Sequence, residues 1–148
     1  MAYYGTIDGA GTYYSTRLNT AIWERSVLED RVAALTMATA AIDKLNIAGS
    51  KADADQELQF PRCNDTVVPT AIERAAYEIV LTLLDGYDQE QEVETLGVLS
   101  EAYSGVRTTY DAHYVNEHKR AGIPSSEAWE LLLPYLRDPT LMRISRVS

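Results

Sequence analysis

Apolar residues recur at helical spacing along most of this chain and change to strand spacing only late in it. Leu28, Val32, Leu35, Ile42 and Leu45 fall on one stripe of a 3.6-residue period, broken only at Thr39. Ser26 with Glu29 reads as a capping box ahead of that run, and Asn46 with Gly49 beyond it reads as its end. A second run opens at Pro69, whose missing amide hydrogen costs nothing at a helix start. It turns Ile72, Ala76, Ile79, Val80, Leu83 and Leu84 inward and closes on Gly86 as a C-cap. This is the helix expected to be the most buried.

Shorter helices are expected on either side. Asp8 is a candidate cap for a helix toward Leu18, with Tyr13, Tyr14 and Leu18 on one face, although Gly9 and Gly11 weaken it. The chain should break near Asn19, and "TAIWER" supplies one or two further turns. Near the other end, "AHYVNEHKRAG" reads as a short helix ending at Gly122. Ser125 or Ser126 then caps "EAWELLLPYL", in which Trp129, Leu132, Leu133 and Leu136 form an apolar face and Pro134 strains or ends the helix.

Between these elements the period is lost or altered. Residues 46–69 read as a long loop, a length at which loops are usually functional or wrap the domain, pinned here by Leu58, Phe60 and Val67. In "GVLSEAYSGVRTTYD" the β-favouring residues Val98, Tyr103, Val106 and Tyr110 flank a turn, which predicts a hairpin over about residues 97–110. A lone hairpin is marginal in water, so this one needs a helix or another chain against it. The expected fold is mainly α: a helical bundle over residues 1–136 with one small β-hairpin, followed by an extended C-terminal arm over 137–148.

Charge narrows the function. The chain has 148 residues, with 22 acidic against 13 basic side chains and a net charge of −9, so a phosphate-binding surface would have to be local. The arm is the candidate stretch, with Arg137, Arg143 and Arg146 against Asp138, interleaved with Leu141, Met142, Ile144 and Val147. Its alternation from Leu141 onward suits a strand that adds to the sheet edge of another protein. The longest apolar run is far short of the ~20 residues that cross a bilayer, and the first residues carry no secretory signal. One cysteine, Cys63, allows no internal disulfide and is expected to be a buried or passive thiol.

Catalytic and metal chemistry find little support. His113 and His118 lie five apart, off the spacing that puts two ligands on one helix face. "DAD" at Asp53 to Asp55 lacks the glycine and closing glutamate of a calcium loop, and the glycines of "GTIDGAGTYY" match no phosphate-binding pattern. No enzyme, metal or cofactor is expected. Ten tyrosines against one phenylalanine is the stronger bias. Tyr3, Tyr4, Tyr13, Tyr14, Tyr103, Tyr110 and Tyr114 read equally well as subunit contacts or as cover for a small core, with base stacking behind both.

The segments "AYYGTIDGAGTYYSTRL", "ALTMATAAIDKL", "LQFPR", "VPTAIERAAYEIVLTLLDG" and "PYLRDPTLMRISRVS" together resemble small proteins of tailed-bacteriophage genomes. These are head-tail connector or head-completion adaptor proteins, some of which carry the label DnaT-like ssDNA-binding protein. The resemblance implies a virion subunit made in the host cytoplasm and assembled in the neck as a ring, typically twelvefold, that extends the DNA channel. Its partners would be the portal protein and a tail-side terminator or neck protein, with double-stranded DNA in passage and no membrane. Carried onto this chain, it makes Arg137, Leu141, Met142, Arg143, Ile144, Arg146 and Val147 portal contacts. Tyr103, Val106, Arg107, Tyr110 and Tyr114 become inter-subunit candidates, and Asp88, Glu90, Glu92 and Glu94 possible channel-facing acids. The alternative is a single-stranded-DNA-binding replication accessory protein, whose affinity would fall steeply with salt.

Overall fold

The computed structural model describes residues 2–86 and 117–137. Within them the chain folds as helices α1 (Ile7–Tyr14), α2 (Ala21–Arg25), α3 (Leu28–Asp43), α4 (Thr70–Leu84), α5 (Glu117–Arg120) and α6 (Ser126–Leu132). A 3₁₀ turn over Leu133–Tyr135 follows α6. No strand forms among the described residues beyond two isolated bridges. The hairpin expected over 97–110, the acidic run 88–94 and the arm beyond Arg137 lie outside the described residues.

Helix α4 is the centre of the fold, as its pattern predicts. It packs most extensively on α3 and α6 and less on α1 and α2. Ile72, Ala75, Ala76, Ile79 and Val80 are fully buried, and each of the branched side chains contributes about 1.5–3 kcal/mol by leaving water. At its C-terminus the amide of Gly86, at φ +86°, bonds to the carbonyl of Leu83, a stop that needs the left-handed conformation glycine adopts freely. Ser125 caps α6 by accepting from the Ala128 amide at 3.2 Å. Pro134 turns the end of α6 into the 3₁₀ turn, since its ring cannot continue an α-helix.

Three sequence expectations are corrected. Thr6, not Asp8, caps α1, with its hydroxyl accepting from the Gly9 amide at 2.8 Å, and Leu18 is exposed beyond the helix end. Ser26 forms no capping box, because its hydroxyl donates to the Trp23 carbonyl and accepts from Arg31. Val27 occupies the N-cap of α3 with no side-chain bond. The α3 stripe also divides: Leu35 and Ile42 are buried, while Leu28 and Val32 are exposed because the first two turns extend past the core. Thr39, the polar break in that stripe, is buried and accepts from the Tyr4 amide at 2.9 Å.

The loop 44–69 is a self-stapled wrap. Ala52 and Cys63 donate their amides across it to Pro61 and Ser50, and the Gln56 amide group donates to the carbonyls of Leu58 and Pro61. Arg62, within "LQFPR", donates to the carbonyls of Ala48, Gly49 and Gln59 and to the Gln59 side chain. Phe60, preceding a cis Phe60–Pro61 bond, anchors the loop in the core beside Tyr4 and Tyr135. Leu58 packs partly on the core, but Val67 is exposed and pins nothing. Past α6 the chain returns to this loop: Leu136 bridges Ile47, and the Arg137 amide donates to the Asn46 carbonyl at 3.0 Å.

Candidate functional site

Helix α1 is attached to α4 by tyrosine hydroxyls. Tyr14 is buried and donates to the Tyr77 carbonyl at 2.6 Å, while the Tyr77 hydroxyl accepts from the Thr6 amide at 3.2 Å. Gly5, at φ +78°, makes that approach possible: a Cβ there would lie 2.2 Å from the Tyr77 hydroxyl. Burial raises the pKa of the Tyr4, Tyr14 and Tyr77 hydroxyls, so each stays a protonated hydrogen-bonding group.

Beyond Tyr14 this attachment ends in a charged node. Glu78 is 3% exposed on α4, yet it carries a carboxylate. Arg17 meets it with two parallel bonds of 2.9 Å, from Nε to Oε2 and from one terminal nitrogen to Oε1. Tyr13 adds a third, donating to Oε2 at 2.6 Å, and its own pKa is pushed up to about 12 by burial and then by the adjacent carboxylate. The forked pair is the geometry that best repays removing two charges from water. Its bonds to Glu78 raise the Arg17 pKa further, so the guanidinium is a fixed cation.

The outer side of Arg17 helps to line a cleft of about 480 Å³. It is lined by Ala21, Ile22 and Arg25 of α2, by Leu81, Thr82 and Asp85 at the end of α4, and by Arg17 and Asn19 from the connection between α1 and α2. Both helices use the spacing i, i+1, i+4, which sets three residues on one helix face. Asn19 makes the bend between α1 and α2 at φ +63°. Arg25 and Asp85 are exposed and form no ion pair with each other; among the described residues the ion pair is Arg17–Glu78. With Glu78 beneath Arg17, two arginines face two carboxylates. The cleft therefore offers hydrogen-bond donors and acceptors more than net charge.

The residues singled out by sequence are placed unevenly. Of the arm, Arg137 is described: its side chain is exposed and its amide held by Asn46. Leu141, Met142, Arg143, Ile144, Arg146 and Val147 lie outside the described residues, as do Tyr103, Val106, Arg107, Tyr110, Tyr114, Asp88, Glu90, Glu92, Glu94 and His113. Tyr4 and Tyr14, weighed equally as subunit contacts or core cover, are core residues, and Tyr3 and Tyr13 pack partly against that core. Cys63 is exposed, not buried. His118 holds the Ile123 carbonyl through Nδ1 at 2.8 Å. Among the described residues no three His, Cys, Asp or Glu side chains are grouped to hold a metal ion, and no helix is long and apolar enough to cross a membrane.

The cleft and its charged node were missed by the sequence reading. One signal was available: Glu78 interrupts "AAYEIVLTLL", where every neighbour belongs to a buried helix, so it required a partner. Comparison with known proteins matches residues 3–147 to a family described as "Putative DnaT-like ssDNA binding protein". No curated protein and no solved structure matches the chain.

Proposed function

The chain belongs to this DnaT-like family, and from that premise we propose that it binds single-stranded DNA, with the cleft between α2 and α4 as a contact on its folded body. The observation that carries the reading is the family match across residues 3–147. The cleft supports it with two arginines, one of them pre-oriented by Glu78, beside apolar and hydrogen-bonding side chains. The net charge of −9 opposes tight binding, so affinity should lie in the range of about 1–100 μM typical of weak, nonspecific contacts.

Salt dependence tests this. Each phosphate contact to a single strand contributes a slope of about −0.7 in log K against log salt, so Arg25, the cleft arginine not already paired with a carboxylate, gives about −0.7. Arg25→Ala should bring the slope of this contact close to zero and weaken binding several-fold in a fluorescence-anisotropy titration. No binding of oligonucleotide at low salt would end the reading, and an unchanged slope in the variant would move the contact elsewhere.

A second reading, the head-tail adaptor of a tailed phage, is favoured by a different observation. None of the described Tyr, Trp or Phe rings is exposed, so the described body offers no stacking platform for bases. Its uncovered apolar side chains, Val27, Leu28 and Val32 among them, suit protein contacts instead. In this reading the segment from Arg137 onward docks on the portal. Co-sedimentation with portal rings, retained by the full chain and lost on truncation after Leu136, is the expected result. Absence of binding by the full chain would remove the adaptor reading.

A further inference from the structure

The cleft holds an unusual combination: a cation and an anion, Arg25 and Asp85, in one small space without pairing to each other. Neither side chain has a hydrogen-bond partner among the described residues, so both keep their full capacity for a ligand. Ala21, Ile22 and Leu81 make the apolar part of the same lining. Thr82 donates its hydroxyl to the Glu78 carbonyl at 3.5 Å, which leaves the oxygen free to accept. The space of about 480 Å³ lies within the range of small-molecule sites.

A ligand that fits this lining carries an anionic group, a flat apolar face and a hydrogen-bond donor aimed away from the anion. A nucleotide with an exocyclic amino group has all three. Its phosphate suits Arg25, with Arg17 beside it offering only the hydrogens left over from its bonds to Glu78 and to the Leu18 carbonyl; its ring suits Ile22 and Leu81, and its amino hydrogens suit Asp85, as a carboxylate accepts from cytosine N4. Thymine fits less well. It carries no exocyclic amino group, and its one imide N–H is flanked by two carbonyls that a carboxylate would repel.

We propose that the cleft takes one unstacked nucleotide of a single strand and, through Asp85, selects amino-bearing bases over thymine. The inference rests on the single-stranded-DNA reading and adds the base preference to it. The preference arises from the carboxylate as acceptor; removing its charge while keeping its shape should abolish the discrimination without abolishing binding.

The test compares oligo(dC) with oligo(dT) of equal length by anisotropy at neutral pH, for the full chain and for Asp85→Asn. One good base contact is worth about 1–3 kcal/mol of discrimination. The wild-type chain should therefore bind oligo(dC) at least about fivefold more tightly. In Asp85→Asn the ratio should fall below about twofold, chiefly by a gain for oligo(dT), because the amide also donates to a thymine carbonyl. Thermal melts of the variant should match wild type, since the Asp85 side chain holds nothing in the described fold. Equal binding of the two oligonucleotides by wild type, or a ratio unchanged in Asp85→Asn, overturns the selection and leaves single-strand binding standing. If neither oligonucleotide binds, both the selection and the single-strand reading are overturned.

Discussion

Arg17→Ala is expected to destabilise the protein by about 3 kcal/mol, seen as a fall of about 6–12 °C in the thermal midpoint. The figure sits at the low end for breaking a buried pair because the Arg17 side chain is 34% exposed while Glu78 is 3% exposed. The loss comes mainly from what remains: a carboxylate out of water with one tyrosine hydroxyl for company. Glu78→Gln alone should cost less, since the amide keeps the shape and can still accept from Tyr13 and Arg17. Combining the two should recover more than half of the Arg17→Ala loss, as no charge is then buried alone. If instead the two single effects simply add in the double variant, the node is not coupled and its fixing of α1 and α2 on α4 has another source.

This node shows where sequence stopped being informative. The elements came through wherever a local rule acts alone: the α4 stripe with Pro69 and Gly86 at its ends, the break at Asn19, the Ser125 cap and the early stop at Pro134. They failed where a side chain had a competing partner that the local rule does not count. Ser26 satisfies the capping-box pattern, but the Trp23 carbonyl and Arg31 engage its hydroxyl, and Arg31 itself stacks 4.7 Å from the Trp23 ring centre. Leu28 and Val32 obey the helical period, but period reports a face and not how far the core extends along it. For the tyrosines the sequence left subunit contact and core cover equally open, because each joins a large apolar ring to a hydroxyl. Tyr4 and Tyr14 are core residues because Asp43 and the Tyr77 carbonyl, 39 and 63 positions away, satisfy those hydroxyls.

The cleft was illegible for a related reason. Arg17, Arg25 and Asp85 sit in segments unremarkable for charge, and only the packing of α2 on the end of α4 makes them neighbours. The residues most conspicuous in the sequence, the basic apolar arm beyond Arg137 and the tyrosines of 103–114, lie outside the described residues. The two readings of function divide along that line. Binding to a strand is assigned to the folded body, and docking on a portal to the arm, so truncation after Leu136 and Arg25→Ala separate them in opposite directions.

Tyr4→Phe is expected to cost about 2 kcal/mol at neutral pH and less near pH 4. The Tyr4 hydroxyl donates to Asp43 at 2.5 Å and accepts from the Phe60 amide at 3.1 Å, joining the N-terminal segment, the end of α3 and the loop at one atom. Its removal leaves a buried amide without an acceptor and a half-buried carboxylate without its shortest bond. Burial holds the Asp43 pKa above the ordinary carboxylate value, against the lowering effect of the Tyr4 bond. The folded state therefore holds this proton more tightly than the unfolded chain does. Its stabilising contribution is complete below the unfolded value, near 3.9, and is lost as pH rises through the folded one. Without Tyr4 the folded value moves higher still, so the ionised carboxylate costs most at neutral pH, and that part of the penalty disappears as Asp43 takes up its proton. Asp43→Asn should cost under about 1 kcal/mol, because the charge leaves while the amide oxygen can still accept from the Tyr4 hydroxyl, and should flatten the pH dependence. Urea unfolding of the three proteins at pH 7 and near pH 4 measures this directly. A Tyr4→Phe penalty equal at both pH values, or an Asp43→Asn penalty as large as that of Tyr4→Phe, would show that the junction depends on packing and not on this carboxylate.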